Sequence, residues 1–122
     1  MDILKYLSED VIEYIYSEIE AAQGNEVFFT GEIDETGLVV SVKVGCRGNS
    51  NTVPVNFSDM RESSVIIHNH PSGKLFPSNA DLGVASGASE NAQGFYIINN
   101  DVSDIYVVVE PVKLKVVQKL DI

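Results

Sequence analysis

Basic residues and cysteine are both scarce in this sequence, and each shortage argues against a class of protein. The 122 residues include 8 Lys and Arg against 18 Asp and Glu, which gives a formal net charge of −10. Because proteins hold phosphate backbones mainly with Lys and Arg, this balance argues against nucleic acid as the main partner. The single cysteine, Cys46, excludes an internal disulfide and a cysteine-rich zinc knuckle.

Long apolar runs are also missing. No stretch approaches the roughly 20 apolar residues that a membrane helix needs, and the N-terminal stretch has no basic segment leading into an apolar run, so we expect no signal peptide. We therefore expect a cytoplasmic protein. Hydrophobic residues make up 44% of the chain, enough for a packed core. The length predicts a single domain over residues 1–122.

Two stretches have the pattern of amphipathic or capped helices. Apolar residues recur at helical spacing between Ser8, a capping residue, and Gly24, a natural stop. The second helix is predicted over Ser78–Gln93, where Gly83 and Gly87 lower the intrinsic helix propensity. We interpret these two glycines as sites where the helix packs closely against a sheet.

Strand patterns occupy most of the remaining chain. They predict a hairpin, one buried strand in the middle of the chain and three strands near the C-terminus, with a further extended piece over Val53–Val55 and a helical turn over Asn56–Glu62. The predicted strands are Glu26–Ile33, Leu38–Cys46, Ser63–His68, Phe95–Ile98, Ile105–Val109 and Lys113–Val117. We expect a mixed α/β domain with helices packed on a largely antiparallel sheet.

The stretch I-I-H-N-H-P-S-G-K-L-F-P-S-N-A-D, residues 66–81, holds the only two histidines of the chain, His68 and His70. Residues i and i+2 of an extended strand point to the same side, so both imidazoles can reach one metal ion. The proline- and glycine-containing loop then turns the chain back to a helix start, which brings Asp81 toward the histidines. Two histidines and a carboxylate, with one position open to water, are a typical ligand set of a catalytic zinc ion.

Ser78 and Asp81 also have a purely structural explanation. The sequence S-x-x-D at a helix start is a capping box, which would account for both residues without a metal. The two roles are compatible, because Ser78 can cap the helix while Asp81, one turn further on, faces the metal.

The spacing of these residues resembles the JAMM motif of JAB/MPN-type metalloproteases, H-x-H-P followed by S-x-x-D. Ten residues separate His70 from Asp81, as that pattern requires. The H-N-H-P-S-G wording, and R-G-N-S-N-T-V-P-V upstream of it, are similar to the RadC-like branch. The resemblance implies a three-layer fold similar to cytidine deaminases, a zinc ion, and hydrolysis of peptide or isopeptide bonds, in several relatives those of ubiquitin-like conjugates.

The resemblance also implies roles for two further residues. A glutamate at the start of an earlier strand is expected to be the general base, and Glu26 occupies that place, with Glu32 on the same strand face as its rival. Ser78 is expected to bond the attacking water or the developing oxyanion. Two other functions stay open: a non-catalytic interaction module of the same fold, and a RadC-like protein associated with DNA processing. Zinc deaminase chemistry is a weaker alternative, because it expects a P-C-x-x-C signature and the chain has one cysteine.

Overall fold

A computed structural model describes residues 2–47 and 63–112, which form a five-stranded mixed sheet with one helix on each face. The strand order is β2-β1-β3-β4-β5; β3 and β4 run parallel, and the other neighbouring pairs are antiparallel. The predicted α/β fold with a largely antiparallel mixed sheet is therefore confirmed. The elements are a short 3-10 turn (Ile3–Lys5), α1 (Glu9–Ala21), β1 (Val27–Ile33), β2 (Val39–Arg47), β3 (Val65–Asn69), α2 (Asn79–Glu90), β4 (Gly94–Ile98) and β5 (Ile105–Val109).

Most element boundaries lie close to the predicted ones, and Ile105–Val109 is reproduced without change. The longest discrepancy is at the end of α2, which stops at Glu90 rather than Gln93. The predicted elements Val53–Val55, Asn56–Glu62 and Lys113–Val117 lie outside the described residues. Among the helices of the described part of the chain, none has the length and apolar character needed to cross a membrane.

Helix α1 covers one face of the sheet with large aliphatic side chains. Its buried residues Val11, Ile15 and Ile19 follow the helical spacing seen in the sequence, and the side chain of Ser8 accepts a hydrogen bond from the backbone N–H of Val11 at 3.3 Å. These residues join the larger of two core clusters, together with alternate residues of the strands such as Phe29. Burial of each large aliphatic side chain stabilises the fold by about 1.5–3 kcal/mol.

Helix α2 covers the opposite face with smaller side chains. Val84, Ala85 and Ala88 pack against the aromatic residues Phe28 and Phe95 in the smaller cluster. Because side chains alternate along a strand, Phe28 faces α2 while its neighbours Val27 and Phe29 face α1. The sheet is thus the middle of three layers.

The expectation that Gly83 and Gly87 mark close packing was wrong. A Cβ atom built at either position meets no heavy atom within 4 Å. The buried face of α2 is formed by Asp81, Val84, Ala85 and Ala88. At about 100° per residue, the two glycines lie well away from that face. They lower the helix propensity of α2 without bringing it closer to the sheet.

Candidate metal centre

The parallel pair β3 and β4 is joined through α2, which places the loop of residues 70–78 at the C-terminal end of β3. His68 lies at that end of the strand, His70 follows it, and Asp81 lies in the first turn of α2. The short loop therefore returns the chain to the two histidines. The topology explains how residues 11 positions apart come into contact.

One ring nitrogen of each histidine and the two carboxylate oxygens of Asp81 converge. The Nε2 atom of His68 lies 3.0 Å from Oδ1 of Asp81, and Nε2 of His70 lies 2.9 Å from Oδ2 of Asp81. The two Nε2 atoms are 3.1 Å apart. A tetrahedral zinc ion with bonds of about 2.0–2.1 Å separates its ligand atoms by about 3.3 Å. The separation of the two imidazole nitrogens, and that of each nitrogen from one carboxylate oxygen, lies within a few tenths of an ångström of this value.

A backbone carbonyl fixes the orientation of the His70 ring. The Nδ1 atom of His70 lies 2.7 Å from the carbonyl oxygen of Lys74, which can only accept a hydrogen bond, so Nδ1 carries a proton. In the neutral ring, Nε2 then carries the lone pair, and it faces Asp81 and His68. Metal-binding histidines are commonly held this way, with the distal nitrogen donating to a carbonyl or carboxylate.

The His68 ring is fixed by packing instead. It is stacked between Phe28 and Phe95, with centroid distances of 4.5 and 5.2 Å and interplanar angles of 11° and 12°. The residue is 1% exposed. Its Nδ1 atom is buried and has no hydrogen-bond partner among the described residues. The ring plane is therefore set by two aromatic neighbours, and Nε2 is the atom that faces His70 and Asp81.

Asp81 is held by the capping box that the sequence predicts. The Ser78 hydroxyl accepts a hydrogen bond from the Asp81 N–H at 3.1 Å, and the Ser78 N–H donates to Oδ2 of Asp81 at 2.8 Å. Burial raises the pKa of Asp81, but hydrogen bonds from His68, His70 and the Ser78 backbone outweigh it and hold that pKa far below its ordinary value. Asp81 is thus a carboxylate, as a metal ligand must be.

The same carboxylate acts on His70. The hydrogen bond between His70 and Asp81 raises the pKa of His70. Partial burial lowers that pKa, and the negative charges of Asp81 and Glu26 raise it further. A negative potential at the two imidazoles favours any cation placed there, whether a proton or a metal ion.

Glu26 lies immediately before β1 and on the same side of the sheet as the histidines. The register pairs Phe28 with His68, and its continuation places Glu26 opposite His70. One carboxylate oxygen of Glu26 and one ring nitrogen of each histidine all lie within 4.8 Å of one another. A carboxylate this close to the two imidazoles can reach a water molecule held among them. Glu26, His68 and His70 could also hold a metal ion, but the contacts of Asp81 with the histidines, at 2.9 and 3.0 Å, are the closer match to ligand spacing.

The rival glutamate lies elsewhere. Glu32 is near the far end of β1, is exposed, and accepts a hydrogen bond from the Ser64 hydroxyl at 2.7 Å. The structure therefore brings together all five predicted site residues and leaves Glu32 apart. Ser78 is exposed at the edge of the centre, and a hydroxyl that accepts a hydrogen bond can still donate its own proton.

Three supporting residues were not singled out from the sequence. Phe28 and Phe95 hold the His68 ring, and Asn69, between the histidines, is fully buried. A signal existed for Asn69 alone, since an amide inside an otherwise apolar strand needs buried hydrogen-bond partners. The aromatic pair could be found only from the strand order.

Comparison with known proteins identifies the family to which the chain belongs. A search among curated proteins found no match. A family model described as RadC-like JAB domain matches residues 6–111, which include every residue of the candidate metal centre. The match covers most of the 122 residues and agrees with the α/β fold of the sheet and its two helices. The chain belongs to the RadC-like JAB domain family.

Proposed function

We propose that the protein is a zinc-dependent metallopeptidase of the JAMM type, which hydrolyses peptide or isopeptide bonds, with ubiquitin-like conjugates as the candidate substrates. One observation carries the proposal. The Nε2 atom of His70 lies 2.9 Å from Oδ2 of Asp81 and 3.1 Å from Nε2 of His68, while the Lys74 carbonyl holds a proton on Nδ1 of His70. Two imidazole nitrogens and a carboxylate that face one another at such distances need a cation among them, and we propose that this cation is a metal ion rather than a proton.

His68, His70 and Asp81 would hold the ion, and a zinc ion there would supply Lewis acidity and an activated water molecule. Glu26 takes a proton from the attacking water and delivers it to the leaving amine, which is the usual task of a carboxylate within reach of both. Ser78 donates its hydroxyl proton to the oxygen on which negative charge develops. Loss of one such donor typically raises the barrier by about 3 kcal/mol.

A groove beside the centre suits an extended polypeptide. It has a volume of about 1030 Å³ and lies between the loop of residues 73–76 and strand β5. Phe76, which is 77% exposed, meets Tyr106 edge to face at 6.0 Å along this groove. Among the described residues, β5 is an edge strand, so a substrate tail can add to the sheet there. The loop that lines the groove also supplies the Lys74 carbonyl to His70.

The test combines metal analysis with a cleavage assay. Purified wild-type protein, Glu26→Gln and Glu32→Gln are loaded with zinc, assayed for bound metal, and incubated with isopeptide-linked ubiquitin-like fusions and with linear peptides. Glu26→Gln should keep the wild-type zinc content and lose about 10²–10⁴-fold in turnover, the usual contribution of a general base. Glu32→Gln, a change of the β1 glutamate that lies apart from the centre, is the matched control and should behave as wild type.

Each alternative predicts a different result, and the role in DNA processing is tested by a separate DNA-binding assay. Loss of zinc from Glu26→Gln would make Glu26 a ligand and move the base elsewhere. A zinc-loaded wild-type protein that cleaves none of these substrates would refute the peptidase and favour the non-catalytic interaction module. Salt-dependent binding of the wild-type protein to DNA would favour the role in DNA processing.

A further inference from the structure

The side chain of Asn69 contacts the backbone on both sides of Glu26. Its Oδ1 atom accepts a hydrogen bond from the Val27 N–H at 2.8 Å, and its Nδ2 atom donates to the Asn25 carbonyl oxygen at 3.2 Å. These two groups belong to the peptide units that precede and follow Glu26. One buried amide thus holds both peptide units next to the predicted base.

The contact replaces the regular pairing of the sheet at this point. The β1–β3 register includes Phe28 with His68 but not Val27 with Asn69. Without a partner from the strand ladder, the Val27 N–H would be a buried donor left unpaired, which is unfavourable. The Asn69 side chain supplies that partner where the chain leaves the strand toward Glu26.

The side chain of Asn69 is itself held by Asn100, which lies in the turn between β4 and β5. The Oδ1 atom of Asn100 accepts a hydrogen bond from Nδ2 of Asn69 at 2.7 Å, and its own Nδ2 donates to the Gly24 carbonyl oxygen at 3.0 Å. Both donors of the Asn69 amide and its oxygen are thereby engaged. Gly24 has φ +79°, and a Cβ there would lie 3.3 Å from Nδ2 of Asn100, so a side chain at this position would crowd the contact.

We propose that Asn69 and Asn100 are positioning residues that fix the backbone around Glu26 and so hold its carboxylate beside the two histidines. The inference rests on the proposed function, in which Glu26 is the base. The network reaches Glu26 from the side of the sheet opposite the metal ligands, because Asn69 alternates with His68 and His70 along the chain. Asn100 can therefore be changed without touching a metal ligand.

The experiment compares two neighbouring asparagines of one turn. Asn100→Ala removes the partner of Asn69, whereas Asn100→Asp keeps an accepting oxygen for it. Asn99→Ala is the control, since the hydrogen bonds of the Asn99 side chain to described residues stay within its own turn, to Ser103 and to the Asp104 N–H. All variants are assayed for zinc content, for kcat and KM on the substrate of the wild-type protein, and by NMR for hydrogen exchange of the Val27 amide.

Asn100→Ala should lower kcat about threefold to tenfold, the range that one net hydrogen bond supports, with KM and zinc content unchanged. Its Val27 amide should exchange faster by a similar factor. Asn100→Asp should recover part of the wild-type kcat, because it keeps the acceptor for Asn69 but loses the donor to the Gly24 carbonyl. Asn99→Ala should retain the wild-type kcat. Should the alanine variant not fold, Asn100→Leu removes the same hydrogen bonds with little change in volume.

Unchanged kcat in Asn100→Ala, or an equal fall in Asn99→Ala, would overturn the positioning role. A wild-type protein inert toward every substrate would instead refute the proposed function. The effect of the network on the Glu26 backbone would then be decided by Val27 exchange alone. Equal exchange in wild type and Asn100→Ala would overturn it whatever the activity.

Discussion

Helices α1 and α2 begin in the same way and are attached to the sheet by different means. Each has a serine at its N-cap and an acidic residue in its first turn. The acidic residues of α1 lie in solvent, and the helix is held by Val11, Ile15 and Ile19. Helix α2 buries its acidic residue, Asp81, and beyond it only small side chains and one valine. A serine N-cap thus supports a packed core on one face and the candidate metal centre on the other.

The acidic residues of the two first turns give the largest expected contrast. Asp81→Ala should lower zinc affinity by more than about 100-fold. Mutation of a residue that only hydrogen-bonds a metal ligand already lowers metal affinity by about 10–100-fold, and loss of a ligand itself should have a larger effect. Asp10→Ala removes the exposed counterpart in α1 and should leave zinc binding unchanged. Metal content after dialysis against a graded chelator series measures both. Full zinc occupancy in Asp81→Ala would exclude Asp81 as a ligand.

Core substitutions on the two faces should separate stability from metal binding. Ile15→Ala, on the α1 face, should lower the free energy of unfolding by about 2–5 kcal/mol and leave the zinc affinity of the folded protein unchanged. Phe28→Leu, on the α2 face, should cost less than about 1.5 kcal/mol in stability. It should weaken zinc binding about tenfold, because it removes one side of the stack that orients His68.

Urea unfolding of the metal-free proteins and zinc titration of the folded ones give the two quantities separately. Equal losses of zinc affinity in both variants would mean that global stability, not the orientation of His68, controls metal binding. The hypothesis that the α1 face determines stability and the α2 face orients the metal-binding residues would then be wrong.

The two cap serines provide a finer comparison. Ser8→Ala and Ser78→Ala should each lower the free energy of unfolding by about 1 kcal/mol through the lost cap. Only Ser78→Ala should also slow cleavage, by about 100-fold, through the lost donor to the developing negative charge. Denaturant unfolding and kcat on one substrate provide the comparison. If the two variants had equal activity, Ser78 would be a cap and nothing more.

The sequence was most informative where the partners are close along the chain. The loop from His68 to Asp81 is one contiguous motif, and its proline and glycine already indicate a return to the helix start. Glu26 could be placed only through the family resemblance, because its position opposite His70 depends on the pairing of two strands 40 residues apart.

The supporting residues depend still more on long-range structure. Phe28 and Phe95 enclose His68 only because β1 and β4 lie on either side of β3. The contact of Asn69 with Asn100 depends on the turn after β4. No local pattern specifies which strands become neighbours, so these contacts were not predictable from spacing or composition.

The glycines of α2 give the smallest expected effect, and a test of the one interpretation that the structure overturned. Gly87→Ala places a methyl group where no heavy atom lies within 4 Å, so it should raise the free energy of unfolding by up to about 1 kcal/mol. Gly31→Ala, in β1, is the contrasting variant, because its methyl group would lie 2.9 Å from Val42 and should destabilise the sheet. Thermal unfolding of the two variants and the wild-type protein shows whether each substitution stabilises or destabilises the fold. A destabilised Gly87→Ala would mean that α2 packs more tightly than its open face indicates, and that the close-packing interpretation was right after all.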